Sequence, residues 1–357
     1  MGSVDPSQKI YVAGHQGLVG SAIVRKFQSL GFTNIISRTR DELDLLNQAD
    51  TKDFFSQEKP DLVILAAAKV GGIQANDTYR ADFIYENLQI QNNVIHNSYL
   101  SGIKRLLFLG SSCIYPKRCP QPIKEEFLLT GELEPTNEPY AIAKIAGLKM
   151  CESYNRQYGT RFLSVMPTNL YGPHDHYDLE NSHVLPSMIR KFTLGVLLEH
   201  QDFTGIKQNL KKFRIAEKST YLTDTEIDKL SKHDIINLLG NHGIEKDITL
   251  WGSGTPRREF LHVDDLADAC AFLLFQKDND LDPIKNQHLN IGVGDDLSIK
   301  ELACLIKDIA QFKGDIHWDI SKPDGTPQKL LDVSKMNERG WRAKISLEIG
   351  ITALFNH

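Results

Sequence analysis

The chain has 357 residues, of which 41% are hydrophobic and 24% charged, and its formal net charge is −5 at pH 7. A chain of this length and composition can bury a large core and is typical of a protein with two lobes or one enlarged domain. The negative charge excludes a general attraction to nucleic acid or to an anionic membrane surface, so any phosphate group must be bound by a local pocket.

The first half of the chain alternates short apolar strands with longer helical segments. In chain order we predict a strand at 9–13, a helix at 18–30, strands at 34–37 and 61–68, a helix at 80–101, a strand at 104–110, a helix at 137–158 and a strand at 161–167. The run at 61–68, DLVILAAA, is apolar throughout, as expected of a strand covered on both faces. The alternation predicts an α/β fold with a doubly wound parallel sheet, which binds ligands at the carboxyl ends of its strands.

In the second half the elements are shorter and are punctuated by prolines, which predicts a smaller C-terminal α/β lobe. We place the first domain at 8–172, with some later segments returning to it, and the second mainly at 173–357. Ser298-x-x-Glu301 predicts a capping box at the start of a helix. The polar, lysine-rich segment 202–247 contains a similar pattern, Thr223-x-x-Glu226, which suggests a helix there. It leaves three roles open: a surface excursion, a lid or an oligomer contact.

The cysteines and the short apolar runs indicate the cellular compartment. Five cysteines, an odd number, occur without C-x-x-C spacing at positions 113, 119, 151, 270 and 304. This pattern argues against a disulfide framework and a zinc site and favours a reducing compartment. No apolar run approaches the ~18 residues of a membrane span, and the opening MGSVDPS lacks the basic and apolar regions of a signal peptide. We therefore expect a cytoplasmic protein whose partners include neither a membrane nor nucleic acid.

Three glycines leave the first strand and open the first helix. They form the pattern Gly14-x-x-Gly17-x-x-Gly20. Glycines at such a place allow a tight turn and let backbone N–H groups approach a pyrophosphate at the helix N-terminus. The alternative is a turn that merely requires small residues. The position between strand and helix favours a dinucleotide site.

The end of the second strand indicates which dinucleotide binds. An acidic residue there would bind a ribose 2′-hydroxyl, whereas an arginine accepts a 2′-phosphate. Arg38 and Arg40 come first in this chain, and Asp41 and Glu42 follow them. A solvated charged turn is the alternative. The order favours NADP(H), with Arg40 the better candidate for the phosphate.

Tyr140 and Lys144 lie four residues apart on a predicted helix and therefore share one face. A free phenol has a pKa near ~10, and a nearby ammonium lowers it, which makes the tyrosine a better acid–base catalyst at neutral pH. In isolation the two would simply be an exposed helix pair. Here they follow a strand that ends in Ser111 and Ser112, where a hydroxyl can bind a substrate carbonyl oxygen together with the tyrosine. The combination predicts an enzyme that acts on a carbonyl group.

These three features together resemble the extended short-chain dehydrogenase/reductase family, which implies a Rossmann-type sheet with NADP bound by 8–172. Longer stretches make the resemblance more specific over nearly the whole chain: AAAKVGGI (66–73), GSSCIYP (110–116), EPTNEPYAIAKIAGLKMCESYNRQYG (134–159), MPTNLYGPHD (166–175), NSHV (181–184), WGSGTPRREFLHVDD (251–265) and KPDGT (322–326). They are similar to the branch of that family that converts GDP-4-keto-6-deoxy-D-mannose to GDP-L-fucose. Its members epimerise C3 and C5 and then reduce C4 with NADPH. The substrate is implied by this resemblance alone.

The resemblance implies five catalytic residues: Ser111, Cys113, Tyr140, Lys144 and His183. Cys113 and His183 would be the acid–base pair, because inverting a carbon requires a base on one face of the ring and an acid on the other. With ordinary pKa values near ~8.5 and ~6.5, a thiol and an imidazole both act near neutral pH after modest tuning. Each has an alternative role. Cys113 could be a small buried filler, and His183 could be a structural loop residue.

The glycine loop, the arginines and the resemblance together imply the ligand-binding residues. For NADP(H) these are Gly14, Gly17, Leu18, Val19, Gly20, Arg38, Arg40, Leu109, Ser111, Ser112, Tyr140, Lys144, Pro167, Asn169, Leu170 and His183. For the nucleotide sugar they are Lys191, Trp251, Arg258 and Asp324. Trp251 could instead be a core aromatic residue and Asp324 a surface charge. The family implies a homodimer through the helices at 80–101 and 137–158. The run His174-Asp175-His176 lacks further ligands, so we expect no metal.

The chain departs from the pattern of its resemblance at three places, and other functions stay open. The segment 202–247 is an insertion, Gln16 stands where arginine is common, and Lys191 replaces an arginine and its bidentate fork. Another NAD(P)-dependent nucleotide-sugar epimerase or reductase is the first alternative function, although a dehydratase would need an acidic residue near Cys113. A non-catalytic NADP-sensing module is disfavoured by the intact Tyr140 and Lys144.

Overall fold

The fold is that of a computed structural model, which describes residues 5–180, 182–217, 220–277 and 287–355. The chain divides into two compact units. The first comprises residues up to 174 together with 259–295 and 330–345, and the second comprises 175–258, 296–329 and the residues after 345. Two later segments therefore return to the first unit.

Strands and helices largely alternate up to residue 167 and follow one another less regularly in the rest of the described chain. The strands are β1 (Ile10–Ala13), β2 (Ile35–Ile36), β3 (Leu62–Leu65), β4 (Arg105–Leu109), β5 (Arg161–Pro167), β6 (Asn169–Tyr171), β7 (Ala216–Glu217), β8 (Thr220–Tyr221), β9 (Ile248–Trp251), β10 (Arg257–Arg258), β11 (Phe260–His262), β12 (His288–Ile291), β13 (Leu297–Ser298), β14 (Ile316–Asp319) and β15 (Gln328–Lys329). The helices are α1 (Leu18–Ser29), α2 (Gln48–Glu58), α3 (Ile73–Thr78), α4 (Arg80–Leu100), α5 (Glu138–Tyr158), α6 (Val184–Glu199), α7 (Phe203–Phe213), α8 (Asp224–Lys229), α9 (Lys232–Asn241), α10 (Val263–Leu274), α11 (Ile299–Ala310), α12 (Ser334–Glu338) and α13 (Leu347–Phe355).

Six parallel strands form the main sheet of the first unit, in the order β12–β5–β4–β3–β1–β2. β1 pairs with both β2 and β3, so Ile10 lies beside Ile35 on one side and Leu62 on the other. The strand order therefore reverses at β1 and β3, and the carboxyl ends of the parallel strands share one edge. Open α/β sheets bind ligands at this switch point. The predicted doubly wound parallel sheet is confirmed.

Helices cover both faces of this sheet because successive strand residues point to opposite sides. Ile10 and Val12 of β1 belong to an apolar cluster that includes residues of α1 and α10. Tyr11 and Ala13 belong to a second cluster, with residues of α4 and α5. All four residues of β1 are buried. Burial on both faces explains why the strands of this sheet are apolar without alternation.

The strand predicted at 61–68 is shorter in the structure. β3 ends at Leu65, and the backbone of Ala66 and Ala67 lies against Gly14. A Cβ on Gly14 would stand only 2.7 Å from Ala67 N. The apolar run extends past the last pair of hydrogen-bonded strand residues because Ala66 and Ala67, which are partly buried, still pack against the core.

Two long helices, α4 and α5, pack on one another against one face of the sheet. Each has 21 residues, and the Tyr99 and Tyr158 rings stack between them at 4.1 Å. Several large side chains on the pair are exposed: Tyr85, Leu100, Ile142 and Tyr158. Within the described ranges, no helix combines the length and the apolarity that crossing a membrane requires.

The second unit contains smaller sheets. β10 lies between β13 and β15, and β9 pairs with β14 in parallel. The capping box predicted at Ser298 is confirmed, since Ser298 Oγ accepts from Glu301 N at 3.1 Å and the Glu301 carboxylate accepts from Ser298 N at 2.7 Å. It opens α11.

The segment 202–247, which we predict to be an insertion, has an apolar core. The helix suggested near Thr223 begins there as α8 with a capping box. Buried apolar residues of the segment cluster with Leu179 and Leu194: Ile206, Leu210, Ile215, Ile227, Ile235, Leu238, Leu239 and Ile244. The polar composition of the segment conceals this core, because each short helix buries only a few of its residues. The segment is therefore a packed helical element.

Candidate active site

The glycine loop joins β1 to α1 at the carboxyl edge of the sheet. Gly14 has φ +84°, which favours glycine, and Gly20 lies so close to the Gly14 carbonyl that a side chain would not fit. Gly17 is exposed, has φ −76°, and an added Cβ would reach only ordinary contact with Gly14 O at 3.6 Å. Gly14 and Gly20 therefore shape the turn. Gly17 leaves the N–H groups of the first turn of α1 open to an anion.

His15, within the glycine loop, is a candidate that the sequence reasoning missed. Its Nδ1 is buried and has no hydrogen-bond partner among the described residues. Hydrogen bonds from Thr39 lower the pKa of Glu42, and the charges of Arg38 and His15 add to that effect, which indicates that the His15 ring lies near Glu42. A buried, unpaired ring nitrogen is a natural partner for a bound dinucleotide. The only available signal in the sequence was its position between Gly14 and Gly17.

The two arginines after β2 differ in their partners. Arg38 donates to Glu58 at 2.7 Å and to the Ser37 carbonyl at 2.8 Å. Arg40 has a side chain that is 71% exposed and approaches Glu86 only to 4.0 Å. An exposed ion pair of this length contributes little to stability. Arg40 is therefore better able than Arg38 to bind a phosphate.

Tyr140 and Lys144 lie in the first turns of α5, beside β4. The buried Lys144 ammonium donates to the Leu109 carbonyl at 2.8 Å and lies 5.7 Å from the centre of the Tyr140 ring. Burial lowers the pKa of Lys144 to about 8. Burial also raises the pKa of Tyr140, and this effect replaces the lowering by lysine that the sequence reasoning expected. The two side chains are neighbours, but the environment of the phenol is set mainly by its burial.

Ser111 and Cys113 follow β4 and lie beside Tyr140. Ser111 begins a 3₁₀ turn at Ser112–Ile114, and its Oγ accepts from Cys113 N at 3.2 Å. After burial, the next effects on the Tyr140 pKa are the charge of Cys113, which raises it, and a hydrogen bond with Ser111, which lowers it. A hydroxyl, a thiol and a phenol therefore converge at the end of this strand. Their arrangement could bind an oxygen and exchange protons beside it.

Asn137, at the N-terminus of α5, is a second residue that the sequence reasoning missed. Its Nδ2 donates to Cys113 Sγ at 3.3 Å. Its Oδ1 is buried and has no hydrogen-bond partner in the described part of the chain. The sequence offered only its place three residues before Tyr140, which does not indicate a contact with Cys113, 24 residues away.

The other cofactor residues predicted in the first unit lie near the same edge. Leu18 and Val19 open α1 and pack on the apolar core. Asn169 donates from Nδ2 to the Glu259 carbonyl at 2.8 Å. The remaining positions are the ends of β4 and β5, the buried turn after β4 and the middle of β6: Leu109, Pro167, Ser112 and Leu170.

His183 belongs to the second unit and is the N-cap residue of α6, at an exposed position. Neighbouring atoms shield the His183 ring from water, which lowers the pKa of His183, and the positive charges of His176 and Lys329 lower it further. A neutral imidazole is thereby favoured. The loop before it is attached to the insertion, because Tyr221 OH donates to Asp178 Oδ2 at 3.0 Å.

Lys191, on α6, is buried and donates from Nζ to the Thr249 carbonyl at 2.9 Å. Burial lowers the pKa of Lys191 to about 8. This contact ties α6 to β9, the strand that ends in Trp251. The predicted substrate ligand therefore has a backbone partner in the structure.

Trp251 and Asp324 lie together in the second unit. Trp251 is 59% exposed, so it is not the core aromatic residue of the alternative interpretation, and Lys322 Nζ lies 5.1 Å above its ring. Asp324 accepts from Ser253 N at 2.9 Å and from Ser253 Oγ at 2.7 Å. Asp324 thus holds the turn that follows Trp251. An exposed aromatic ring is suited to stacking on a planar base.

Arg258 lies near the same turn. Its Nη1 donates to the Arg257 carbonyl at 2.7 Å, and burial lowers the pKa of Arg258, while the charges of Asp296 and Asp324 raise it. Gly325 leaves space for the guanidinium, since an added Cβ there would come within 2.9 Å of Arg258 Nη2. The fork keeps its charge and suits a diphosphate.

The run His174-Asp175-His176 contains a perturbed carboxyl. Burial raises the pKa of Asp175 to about 7, and its Oδ2 is buried without a hydrogen-bond partner among the described residues. In the part of the chain that the structure describes, no group of three or more His, Cys, Asp or Glu side chains is arranged to hold a metal ion.

Comparisons with known proteins agree with this geometry. The sequence pattern of the family described as NAD dependent epimerase/dehydratase matches residues 10–206 and 222–292. The chain is 52% identical to GDP-L-fucose synthase 1 of Arabidopsis thaliana, over 99% of this chain and 93% of that protein. It is 47% identical to GDP-L-fucose synthase of Escherichia coli (strain K12), over 98% of this chain and 95% of that protein. A solved structure described as MlghC, GDP-mannoheptose C4 reductase from Campylobacter jejuni with NADP bound, is similar with TM-score 0.86 and 43% identity, covering 99% of both chains.

Proposed function

The chain belongs to the NAD dependent epimerase/dehydratase family. From this family, the relatives described above and the exposed Arg40, we infer that it is an NADP(H)-dependent enzyme that acts on a nucleotide-linked sugar. We propose that it converts GDP-4-keto-6-deoxy-D-mannose to GDP-L-fucose by 3,5-epimerisation and 4-reduction. The observation that carries the proposal is the identity of 52% and 47%, over nearly the whole chain, to relatives named GDP-L-fucose synthase. The convergence of Ser111, Cys113 and Tyr140 supports it independently.

The residues of the first unit fit NADP(H). The exposed Gly17 and the open N–H groups of α1 suit the pyrophosphate, and Arg40 suits the 2′-phosphate. His15 has an unpaired ring nitrogen within the same loop. Lys144 donates one N–H hydrogen bond to the Leu109 carbonyl, and its other two N–H groups can bind ribose hydroxyls. Bound NADPH would supply a hydride.

The first stage of the proposed reaction inverts C3 and C5. A ketone at C4 acidifies the hydrogens on both carbons, so one carbonyl serves both epimerisations. Loss of a proton leaves an enolate on O4, which needs donors where the charge develops. Ser111 and Tyr140 are such donors. Cys113 and His183 would remove a proton from one face and return one to the other.

The second stage reduces C4. Tyr140 would donate its phenolic proton to O4 when C4 is reduced, and the raised pKa of Tyr140 means that the phenol holds this proton at neutral pH. The buried ammonium of Lys144, close to the ring, then stabilises the phenolate that remains. The same oxygen site thus serves both stages.

The second unit would bind the nucleotide. Trp251 offers an exposed ring for the base, and Arg258 offers a charged fork for the diphosphate. Asp324 holds the turn between them through Ser253. Lys191, which we propose as a further ligand of the substrate, donates to the Thr249 carbonyl of β9, the strand that ends in Trp251.

We also propose a homodimer formed through α4 and α5, in a cytoplasmic location. The exposed aromatic and aliphatic side chains on this helix pair support the interface. None of the five cysteines takes part in a disulfide in the described part of the chain, which is consistent with a reducing compartment. Light scattering coupled to size exclusion measures the mass, and charge introduced by Tyr85→Glu should yield monomers. An unchanged mass for Tyr85→Glu would place the interface elsewhere.

The proposed reaction is tested by NADPH oxidation with GDP-4-keto-6-deoxymannose in deuterated water. We expect NADPH consumption and a product that carries deuterium at both C3 and C5. Cys113→Ser should strongly suppress this exchange, and Tyr140→Phe should retain NADPH binding while losing most reduction. Product without deuterium at either carbon removes epimerisation from the reaction, and a Tyr140→Phe variant that reduces at the parental rate identifies another proton donor.

A second candidate function is the reduction at C4 of a GDP-linked keto heptose. It is favoured by the similarity to a solved GDP-mannoheptose C4 reductase. The same assay with a GDP-4-keto-heptose discriminates between the two. A higher kcat/KM for the heptose than for GDP-4-keto-6-deoxymannose would select the second candidate, and UDP- and dTDP-linked analogues report how strictly the base is read.

A further inference from the structure

Asn137 occupies the N-cap position of α5, but its side chain does not cap the helix. Asparagine is favoured at this position because its side-chain oxygen accepts a backbone N–H of the first turn. Asn47, at the start of α2, shows the usual arrangement, with Oδ1 accepting from Ala49 N at 3.0 Å and from Asp50 N at 3.3 Å. Asn137 forgoes these bonds.

The Asn137 side chain is directed to Cys113 instead. Nδ2 donates to Cys113 Sγ at 3.3 Å, whereas Oδ1 is buried and unpaired with respect to the described residues. A buried carbonyl oxygen without a partner destabilises a fold. Leucine has the same number of side-chain heavy atoms in the same branching pattern and would carry no such oxygen. The stability of the fold therefore does not account for an amide at this position.

The contact with the Cys113 sulfur does account for an amide at position 137. Cys113 lies next to Ser111 and near Tyr140, in the candidate active site that follows β4. An N–H donor favours a thiolate over a neutral thiol, because hydrogen bonds to charged acceptors are the stronger ones. It also restricts the position of the sulfur.

We propose that Asn137 is a positioning residue for Cys113, whose amide holds the sulfur beside Ser111 and Tyr140 and stabilises its ionised form. Its importance for turnover rests on the proposed function, in which Cys113 moves a proton at the sugar ring. The hold on the sulfur does not depend on any substrate. The two can therefore be tested separately.

The first experiment measures alkylation of Cys113 by iodoacetamide, resolved by mass spectrometry, at about pH 7 and about pH 10. The ratio of the two rates reports the thiolate fraction, and the exposed Cys304 is a reference in the same sample. In Asn137→Leu we expect this ratio to fall about tenfold for Cys113, with Cys304 unchanged and the melting temperature equal to or above that of the parent. Asn137→Asp, which cannot donate and repels a thiolate, should reduce the ratio further.

Asn47→Leu is the matched control, because it removes a working cap from α2. It should lower the melting temperature and leave Cys113 reactivity unchanged. A parental ratio in both Asn137 variants overturns the proposal. So does an equal loss of Cys113 reactivity in Asn47→Leu, because a merely structural role would produce that pattern.

A second experiment follows the reaction. In Asn137→Leu we expect deuterium incorporation at C3 and C5 to slow about tenfold, as for the thiolate fraction, with NADPH affinity unchanged. An equal loss of NADPH affinity would indicate a distorted helix and would overturn the proposal. A parental enzyme that is inactive on every nucleotide sugar removes the proposed function, and the alkylation result still decides the role of Asn137.

Discussion

Replacing Gly14 by alanine should destabilise the first unit and displace the glycine loop. At φ +84° an alanine is strained by about 1–2 kcal/mol. Its Cβ would also stand 2.7 Å from Ala67 N, 2.8 Å from Ala67 Cα and 2.9 Å from the Ala66 carbonyl carbon. These are backbone atoms directly after the buried strand β3, so relieving the clash shifts the chain there and costs roughly a further 1–3 kcal/mol. The expected total is about 2–5 kcal/mol.

Substitutions at two other glycines separate the conformational strain from the steric clash and from the effect on cofactor binding. Gly31 has φ +90° and nothing within 4 Å of an added Cβ, so Gly31→Ala measures the conformational term alone, about 1–2 kcal/mol. Gly17 has φ −76° and an added Cβ only in ordinary contact. Gly17→Ala should cost less than about 1 kcal/mol as an N-cap change. Its methyl group would nevertheless occupy the approach to the N–H groups of α1, so we expect NADPH affinity to fall at least about tenfold.

Urea unfolding gives the free energies, and NADPH fluorescence titration gives the affinities. Equal losses of stability in Gly14→Ala and Gly31→Ala would show that residues 66–67 yield without cost. That result would refute the steric reasoning. Unchanged NADPH affinity in Gly17→Ala would refute the assignment of the loop to a pyrophosphate, independently of the stability results.

Two further predictions concern a buried charge and the insertion. The pKa of Lys144 is lowered to about 8 in the folded state. Between about pH 8 and 10 the unfolded chain therefore binds more protons at this residue, and the free energy of unfolding rises with pH by about 1.4 kcal/mol per unit. Lys144→Met should remove this rise from the pH profile of stability measured by urea unfolding, and parallel profiles for the two proteins would contradict it. Leu210 is fully buried in the core of the insertion, so Leu210→Ala should lower the free energy of unfolding by about 2–5 kcal/mol. Ile236 is 43% exposed, so Ile236→Ala should change it by no more than about 0.5 kcal/mol. Equal effects of the two variants on urea unfolding would mean that the insertion has no cooperative core.

The insertion also has a place in the proposed chemistry. Arg190, 1% exposed, donates to the Tyr177 carbonyl at 3.0 Å and to the Arg214 carbonyl at 2.7 Å. It thus joins the end of α7 to the loop that leads to His183, and Tyr221 joins β8 to the same loop through Asp178. The insertion therefore supports the loop before the proposed acid–base histidine. A role as a lid is not needed to explain its packing.

Much of the first unit could be predicted from the sequence because its signals are local. Strand and helix follow from the period of the apolar residues, and most predicted bounds lie within a residue or two of those observed, as for β5 at Arg161–Pro167 and α4 at Arg80–Leu100. The glycine loop follows from steric rules that depend on a few neighbouring residues. The spacing of Tyr140 and Lys144 places them on one helix face without any knowledge of the rest of the fold. The capping boxes at Ser298 and Thr223 are local in the same sense.

Only the tertiary structure decided what surrounds those side chains. The pKa of Tyr140 is raised by burial that residues distant in the sequence impose. The contact between Asn137 and Cys113 joins a helix start to a strand end, and the unpaired nitrogen of His15 depends on what packs around the glycine loop. Local patterns determine which elements form. Desolvation and long-range hydrogen bonds arise from the packing of those elements, and they determine the chemistry of each group.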